Sequence, residues 1–256
     1  MRIRLLPSSA GRESQLQCLT SFVIDDRVAI DAGSIGFAFS PDQIGSVRNI
    51  VVTHSHSDHT ASLPIYVAEA FPMLDSAIVI YGSIEVITAL REYLFNDHVW
   101  PDFEKIQLSN GAGPTVVFRE LKAMQKVNIG GMDFTPIPVN HIVPTFGLLV
   151  QNSTTSVAFT SDTYLTDEIW KVAREDVNLK AVFAEVSFPN EMGPLAKASK
   201  HLTPELLALE LDKLNRDVPV YAVHIKPTHR EDVIRQIAAI EPHRVSVGEI
   251  DHVYEW

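Results

Sequence analysis

Asn49-Ile50-Val51-Val52-Thr53-His54-Ser55-His56-Ser57-Asp58-His59 is the stretch on which the reading of this chain turns. Asn49 to Thr53 reads as a buried strand, and four potential metal ligands follow at once: His54, His56, Asp58 and His59. Imidazole and carboxylate donors suit zinc and its neighbours, and a sharp turn at a strand end can point alternate side chains at two adjacent ions. A chance surface cluster of histidines would not keep such spacing at a strand end. The apolar stretch Leu63 to Phe71 comes directly after the turn.

Further along, isolated polar residues end apolar runs of strand length. Asp31 closes Ile30-Asp31-Ala32-Gly33, and His141 follows Phe134 to Val139 and precedes Phe146 to Val150. Asp162 stands in Phe159-Thr160-Ser161-Asp162-Thr163, and His224 follows Val218 to Val223. A lone histidine is more often a hydrogen-bonded structural residue than a ligand, so each is weak by itself and their order carries the weight. Glu185 ends another strand-like run, Ala181 to Glu185, and His201 stands just before Thr203-Pro204-Glu205, a cap, an N1 proline and a first-turn acid. A histidine beside a helix N-terminus lies where anions are favoured.

The signature His54, His56, Asp58, His59, with Asp31, His141, Asp162 and His224 in that order, resembles the metallo-β-lactamase superfamily across the whole chain. Glu185-Val186-Ser187-Phe188-Pro189-Asn190-Glu191, His201-Leu202-Thr203-Pro204 and His224-Ile225-Lys226-Pro227 are most similar to the class II cyclic-nucleotide phosphodiesterases, as is Thr60-Ala61-Ser62-Leu63-Pro64 after the signature. The resemblance implies an α/β fold, the four-layer αββα sandwich, as one domain over residues 1–256. It implies two divalent ions, zinc first, with manganese or iron also suited to the donors. One ion would take His54, His56 and His141, and the second Asp58, His59 and His224. Asp162 would bridge them, and Asp31 would orient a ligand.

The activity implied is hydrolysis of a cyclic nucleotide, cyclic AMP or cyclic GMP, to a nucleoside monophosphate by a hydroxide held between the two ions. Asp58, His201 and Glu185 are the expected catalytic residues, with His201 held by Glu185 and facing the phosphate. An RNase Z-like nuclease, a lactone or thioester hydrolase and a nucleotide sensor without turnover are the competing readings. The segment Met192 to Lys200 is short and carries only Lys197 and Lys200, which leaves no long tRNA-binding arm.

Around this frame, 32 acidic against 21 basic residues in 256 give a net charge of −11, which disfavours long nucleic acid. The mean hydropathy of +0.07 is that of a folded chain. Met1 to Leu6 lacks the apolar core of a signal peptide, and no apolar run has the length of a membrane span. The single cysteine, Cys18, forms no internal disulfide and reads as an inert thiol in a strand. The expectations are a cytoplasmic protein, a small phosphodiester as partner, no membrane, and a homodimer among the open oligomeric states.

The strand expectations are Arg2 to Leu6, Leu16 to Ile24 and Val28 to Ile30, with a turn at Asp25-Asp26. Helices are expected after Ser83, after Thr166-Asp167-Glu168, after Thr203, and after a capping box of Thr228 and Glu231. Residues 96–126 read as a long loop carrying Trp100 and Phe103, which pack in the core or a lid. Lys226 could contact a substrate phosphate, but a loop lysine is usually solvated and it is not counted among the site residues. His98, His229, His243 and His252 carry no role.

Overall fold

The structure is a computed structural model that describes residues 1–8, 15–241 and 245–256, so His243 lies outside the described residues. The chain forms two compact units, Met1–Gln15, Leu19–Leu121 and Ile250–Glu255 in one, and Leu16–Cys18, Lys122–Glu249 and Trp256 in the other. Each is built on a seven-stranded sheet.

In the first unit β1 (Arg2–Leu5), β2 (Phe22–Ile24) and β3 (Val28–Ile30) run antiparallel. The β2–β3 hairpin turns on Asp25 and Asp26, both at positive φ (49 and 55°), the geometry that matches the twist of two strands joined by two residues. From β3 the sheet continues in parallel through β4 (Asn49–Val51), β5 (Ile78–Gly82) and β6 (Val116–Glu120), and Val253–Glu255 pairs with β1 on the opposite edge. The helix Leu63–Ala70 buries Leu63, Tyr66, Val67 and Ala70 in a core shared with Ile50, Val52 and Ile80. Ser83 caps Ile84–Tyr93 by accepting from Val86 N, as its position ahead of a 3–4 spaced apolar face predicts.

The second sheet runs β7 (Val127–Ile129), β8 (Met132–Val139), β9 (Thr145–Gln151) and β10 (Ser156–Phe159) in antiparallel order. It then continues in parallel through β11 (Leu179–Glu185), β12 (Val220–Val223) and β13 (Val245–Val247). Pro136 and Pro138 are tolerated inside β8 because β7 pairs only as far as Phe134, leaving the rest of that edge without a ladder on the β7 side. The helices Glu168–Glu175 and Pro204–Leu214 bury Trp170, Leu207 and Leu211 against Val182 and Ala184. They are pinned by the buried Glu210, which accepts from Trp170 Nε1 at 2.5 Å and from Thr166 N at 3.0 Å, and meets Lys213 Nζ at 2.6 Å.

Four local expectations are corrected. Only Phe22–Ile24 of the run Leu16 to Ile24 is strand, because the backbone of Thr20 is spent on Asp58 O at 2.8 Å and Gly33 N at 3.0 Å rather than on a ladder. Cys18 accordingly lies in a bend and is exposed. The stretch 96–126 is not loop throughout but contains β6, since the β-branched Val116 and Val117 pair with β5. No capping box forms at Thr228 and Glu231: Pro227 starts a 3₁₀ turn through His229, which places Thr228 inside that turn and starts the helix at Arg230. Phe103 is buried with Phe95 and touches the half-buried Phe71, and Trp100 packs against the same core. Among the described residues no helix is long and apolar enough to cross a membrane.

Candidate functional site

In the first unit, β3 and β4 are parallel neighbours in register from Val28↔Asn49 to Ile30↔Val51, so their carboxyl ends lie side by side. Asp31 follows one end and Thr53-His54 the other. Carboxyl ends of adjacent parallel strands are where α/β sheets place ligand-binding loops. The chain then tightens into the four-residue helix Ser57–Thr60, which carries Asp58 in its first turn and His59 in its last. The His54 ring lies 4.8 Å from that of His56 and 4.1 Å from that of His59, centre to centre.

Hydrogen bonds decide which nitrogen each ring offers. The Thr53 hydroxyl has one proton and donates it to the Asp31 carboxylate, 2.9 Å from Oδ2, so at 3.1 Å it accepts from His54 Nδ1. Asp31 Oδ2 lies 2.7 Å from His59 Nδ1 and accepts its proton. Both rings therefore present Nε2 as the lone-pair nitrogen, the tautomer a metal ligand requires. Burial raises the Asp31 carboxyl above its ordinary range, opposed by the neighbouring His59 and by the bonds from His59 and Thr53. Gly33 is required by close approach: a Cβ there would stand 2.0 Å from the Asp58 carbonyl oxygen.

In the second unit, β10, β11 and β12 are parallel, and the segments leaving them carry Asp162, Glu185 and His224. His141 follows β8, which runs in the same direction as β10 because each is antiparallel to β9. His141 Nδ1 donates to the Lys200 carbonyl at 3.0 Å, again leaving Nε2 as the lone-pair nitrogen. The His201 ring lies 5.1 Å from that of His141 and is stacked at 5.5 Å on that of His224, whose Nε2 is 3.3 Å from Asp162 Oδ2.

Glu185 is fully buried and accepts from Thr163 N at 3.1 Å, Leu202 N at 3.2 Å, Ser187 Oγ at 3.2 Å and His201 Nδ1 at 3.0 Å. Burial pushes its carboxyl up, with the His201 charge and hydrogen bond pulling the other way. For His201, burial disfavours the imidazolium, but the charge and hydrogen bond of Glu185, with Asp162, outweigh it and raise the ring's pKa.

Within each unit the structure brings together the residues singled out in the sequence, Asp31, His54, His56, Asp58 and His59 in the first and His141, Asp162, Glu185, His201 and His224 in the second. Several supporting residues went unread. Thr53 fixes His54, and Ser187 touches Glu185, His201 Nδ1 at 3.2 Å and the His224 carbonyl at 3.3 Å. Gln17 accepts from His224 N at 2.7 Å. Lys226, read as solvated, places Nζ 2.9 Å from His224 Nε2. The only signal for Thr53 and Ser187 was their place one residue before His54 and two after Glu185, and Gln17 had none.

Comparison with known proteins places this geometry. The family of cAMP phosphodiesterases class-II matches residues 42–229. A probable 3',5'-cyclic-nucleotide phosphodiesterase of Yersinia pestis is 29% identical over 234 residues, covering 81% of this chain and 64% of that protein, so the chain spans less than two thirds of that relative's length. The solved structure of unliganded yeast PDE1 matches with a TM-score of 0.80 at 17% identity over 98% of both chains. The metallo-beta-lactamase fold protein YhfI from Bacillus subtilis matches with a TM-score of 0.74 at 12% identity, over 99% of this chain and 98% of that one. The fold expected from the signature is therefore the fold observed.

Proposed function

The chain belongs to the class-II cAMP phosphodiesterases, and on that premise we propose that it is a metal-dependent hydrolase that opens 3',5'-cyclic nucleotides, cyclic AMP or cyclic GMP, to nucleoside monophosphates. The observation that carries the reading is the buried Glu185–His201 pair beside Asp162 and His224, a proton donor held next to metal-competent side chains.

The donor set fits divalent cations, because His54, His59 and His141 each have Nδ1 occupied by an acceptor and Nε2 as the lone-pair nitrogen. By resemblance to the family's ligand order, His54, His56 and His141 would hold one ion and Asp58, His59 and His224 another, with Asp162 shared. Two such ions, zinc by donor type, supply a lowered pKa for a water and neutralise charge on phosphate oxygens. Asp58 would orient the attacking water and receive its proton. As the water oxygen bonds to phosphorus, the ester P–O bond breaks and the leaving alkoxide takes a proton from His201 Nε2. Glu185 holds Nδ1 throughout and favours the protonated ring. The two units would act as one hydrolase domain over residues 1–256, in the cytoplasm, where a single cysteine stays reduced.

Elemental analysis of the purified protein, followed on the same sample by chromatography of products from cyclic AMP, cyclic GMP and an aryl phosphodiester, tests the reading. Nucleoside monophosphate that disappears on chelation is the expected result. Turnover of the aryl diester alone would remove the cyclic-nucleotide assignment, and no turnover by metal-loaded protein would remove the enzyme.

A further inference from the structure

Phe188 differs from the chain on either side of it. Ala181 to Ser187 and Pro189 are buried, whereas Phe188 is half-exposed. Its ring meets the His201 ring edge-on at 5.9 Å, centre to centre, and lies 6.2 Å from the ring of His229 at an angle of 52°. His229 is half-exposed as well. Where two rings of this unit serve packing they are buried and parallel, as Phe159 and Phe183 are, stacked 5.2 Å apart at 10°. Phe188 and His229 are splayed and only partly covered, an arrangement that suits the docking of another flat group.

Both rings stand on fixed backbone. The N–H groups of Ser187 and Phe188 donate to the Leu202 carbonyl at 3.1 and 3.4 Å. Two residues on, Asn190 N donates to Gln236 Oε1 at 2.8 Å, and Asn190 Oδ1 accepts from Glu205 N at 2.9 Å. Gln236 lies in the helix Arg230–Ile237, whose N-cap residue is His229, and His229 N donates to the Lys226 carbonyl at 3.0 Å. The loop after β11 and the turn after β12 are thus tied together, and β11 and β12 are parallel neighbours with Glu185 opposite Val223 at their carboxyl ends. Aromatic rings set beforehand at the ends of parallel strands need little ordering when a ligand arrives.

We propose that Phe188 and His229 receive the nucleobase of the substrate and so set the preference for nucleoside phosphodiesters over other diesters. A cyclic nucleotide carries its flat base one ribose away from the phosphate. With the phosphate before His201, the base falls within reach of the ring that borders His201. The His141 and His224 rings beside His201 belong to the ligand set, whereas Phe188 has no donor or acceptor atom and can offer a substrate only its ring. Every base has a flat face, so stacking accepts adenine and guanine alike and rejects a phosphate ester that carries no base.

The inference rests on the cyclic-nucleotide reading above, and the experiment separates the two. Zinc-loaded wild type, F188L, F188Y and H229A are titrated by calorimetry with AMP and with ribose 5-phosphate, the same sugar and phosphate with a hydroxyl in place of the base. Wild type is assayed with cyclic AMP on the same preparation, and all four proteins are melted. Stacking predicts that wild type and F188Y bind AMP about 5–100-fold more tightly than ribose 5-phosphate. F188L and H229A should lose most of that preference through weaker AMP binding, with ribose 5-phosphate bound as before. A preference retained in both variants overturns the base-binding role, and so does an equal loss for both ligands, which is what a merely structural role would give. Loss in F188Y as well would also overturn it, and if F188L melts far below wild type, H229A decides by the same criteria. Wild type that turns over no cyclic AMP overturns the function proposed above and this inference with it.

Discussion

Replacing Asp31 by asparagine tests how the first unit presents its ligands. Asparagine tolerates the left-handed backbone at position 31, φ 61°, so the exchange changes chemistry more than shape. The wild-type carboxylate accepts from Thr53 N at 2.8 Å, from the Thr53 hydroxyl, and from His59 Nδ1 at 2.7 Å. An amide has one oxygen to offer. If its nitrogen faced Thr53 it would oppose a buried backbone N–H that cannot move, leaving a donor unsatisfied at a cost of about 1–3 kcal/mol. If it faces His59, the imidazole can shift its proton from Nδ1 to Nε2 and accept the amide hydrogen, which satisfies every buried group. The second arrangement wins, and it places a proton on the nitrogen that would bind the metal. D31N should therefore lose little stability but about 10–100-fold in zinc affinity, the usual effect of removing a carboxylate behind a ligating histidine. Chelator-competition titration and thermal melting measure the two quantities on the same preparation. Zinc affinity within about two-fold of wild type would refute the tautomer argument. A large fall in melting temperature with normal zinc binding would show that Asp31 serves the fold and not the ligand.

Four other variants probe different links. H201A should cut turnover by about 10²–10⁴-fold without changing metal content. E185Q should retain more activity and move the alkaline limb of the rate profile to lower pH, because the charge that raises the His201 pKa is gone; an unmoved limb would dissociate the pair from proton donation. Tyr66, whose hydroxyl donates to the Val47 carbonyl at 2.8 Å, is pushed by burial from 10.0 to about 12, so it favours the folded state fully below pH 10 and that advantage is lost as pH rises through 12. Denaturant melts should find Y66F less stable at neutral pH by about 1–3 kcal/mol, with the gap to wild type narrowing by about 2 kcal/mol at pH 12; a gap independent of pH would refute the assignment. G33A should cost about 1–3 kcal/mol and weaken zinc binding, because the new methyl displaces the Asp58 carbonyl; normal zinc titration by this variant would show that the turn adapts.

What the sequence disclosed follows the range of the interactions involved. His54, His56, Asp58 and His59 are legible because one turn fixes all four, and their spacing survives as text. His141, Asp162, Glu185, His201 and His224 are legible only through their order, since each alone is an ordinary polar residue after an apolar run. Gln17 was beyond reach: its bond to His224 N joins positions 207 residues apart, and nothing in Gln15 to Cys18 marks a functional segment. Lys226 was misjudged because composition cannot say whether a loop lysine meets water or a ligand nitrogen. Similarly, Thr228 and Glu231 have the spacing of a capping box, yet Pro227 had already committed the backbone to a different turn.

The backbone explains why such residues stand at strand ends. Asp31, Ser161 and His224 have φ values of 61, 53 and 63°, each within two residues of the end of a strand. Left-handed backbone at a residue with a side chain costs on the order of 1–3 kcal/mol, and glycine would remove that cost. Where glycine suits the chain, it is used, as in the hairpin at Gly130 and Gly131. A carboxylate and an imidazole retained at such positions point to side chains whose placement matters more than the strain they impose. The strain is borne by fixed partners: Asp31 N donates to Val51 O at 2.8 Å, and His224 N donates to Gln17 Oε1 at 2.7 Å. A left-handed residue directly after a strand reverses the chain within one position, so its side chain leaves the pleat while still anchored by the ladder behind it. That combination of sharp exit and rigid support is what a ligand needs if its donor nitrogen or oxygen is to be set before any ion arrives.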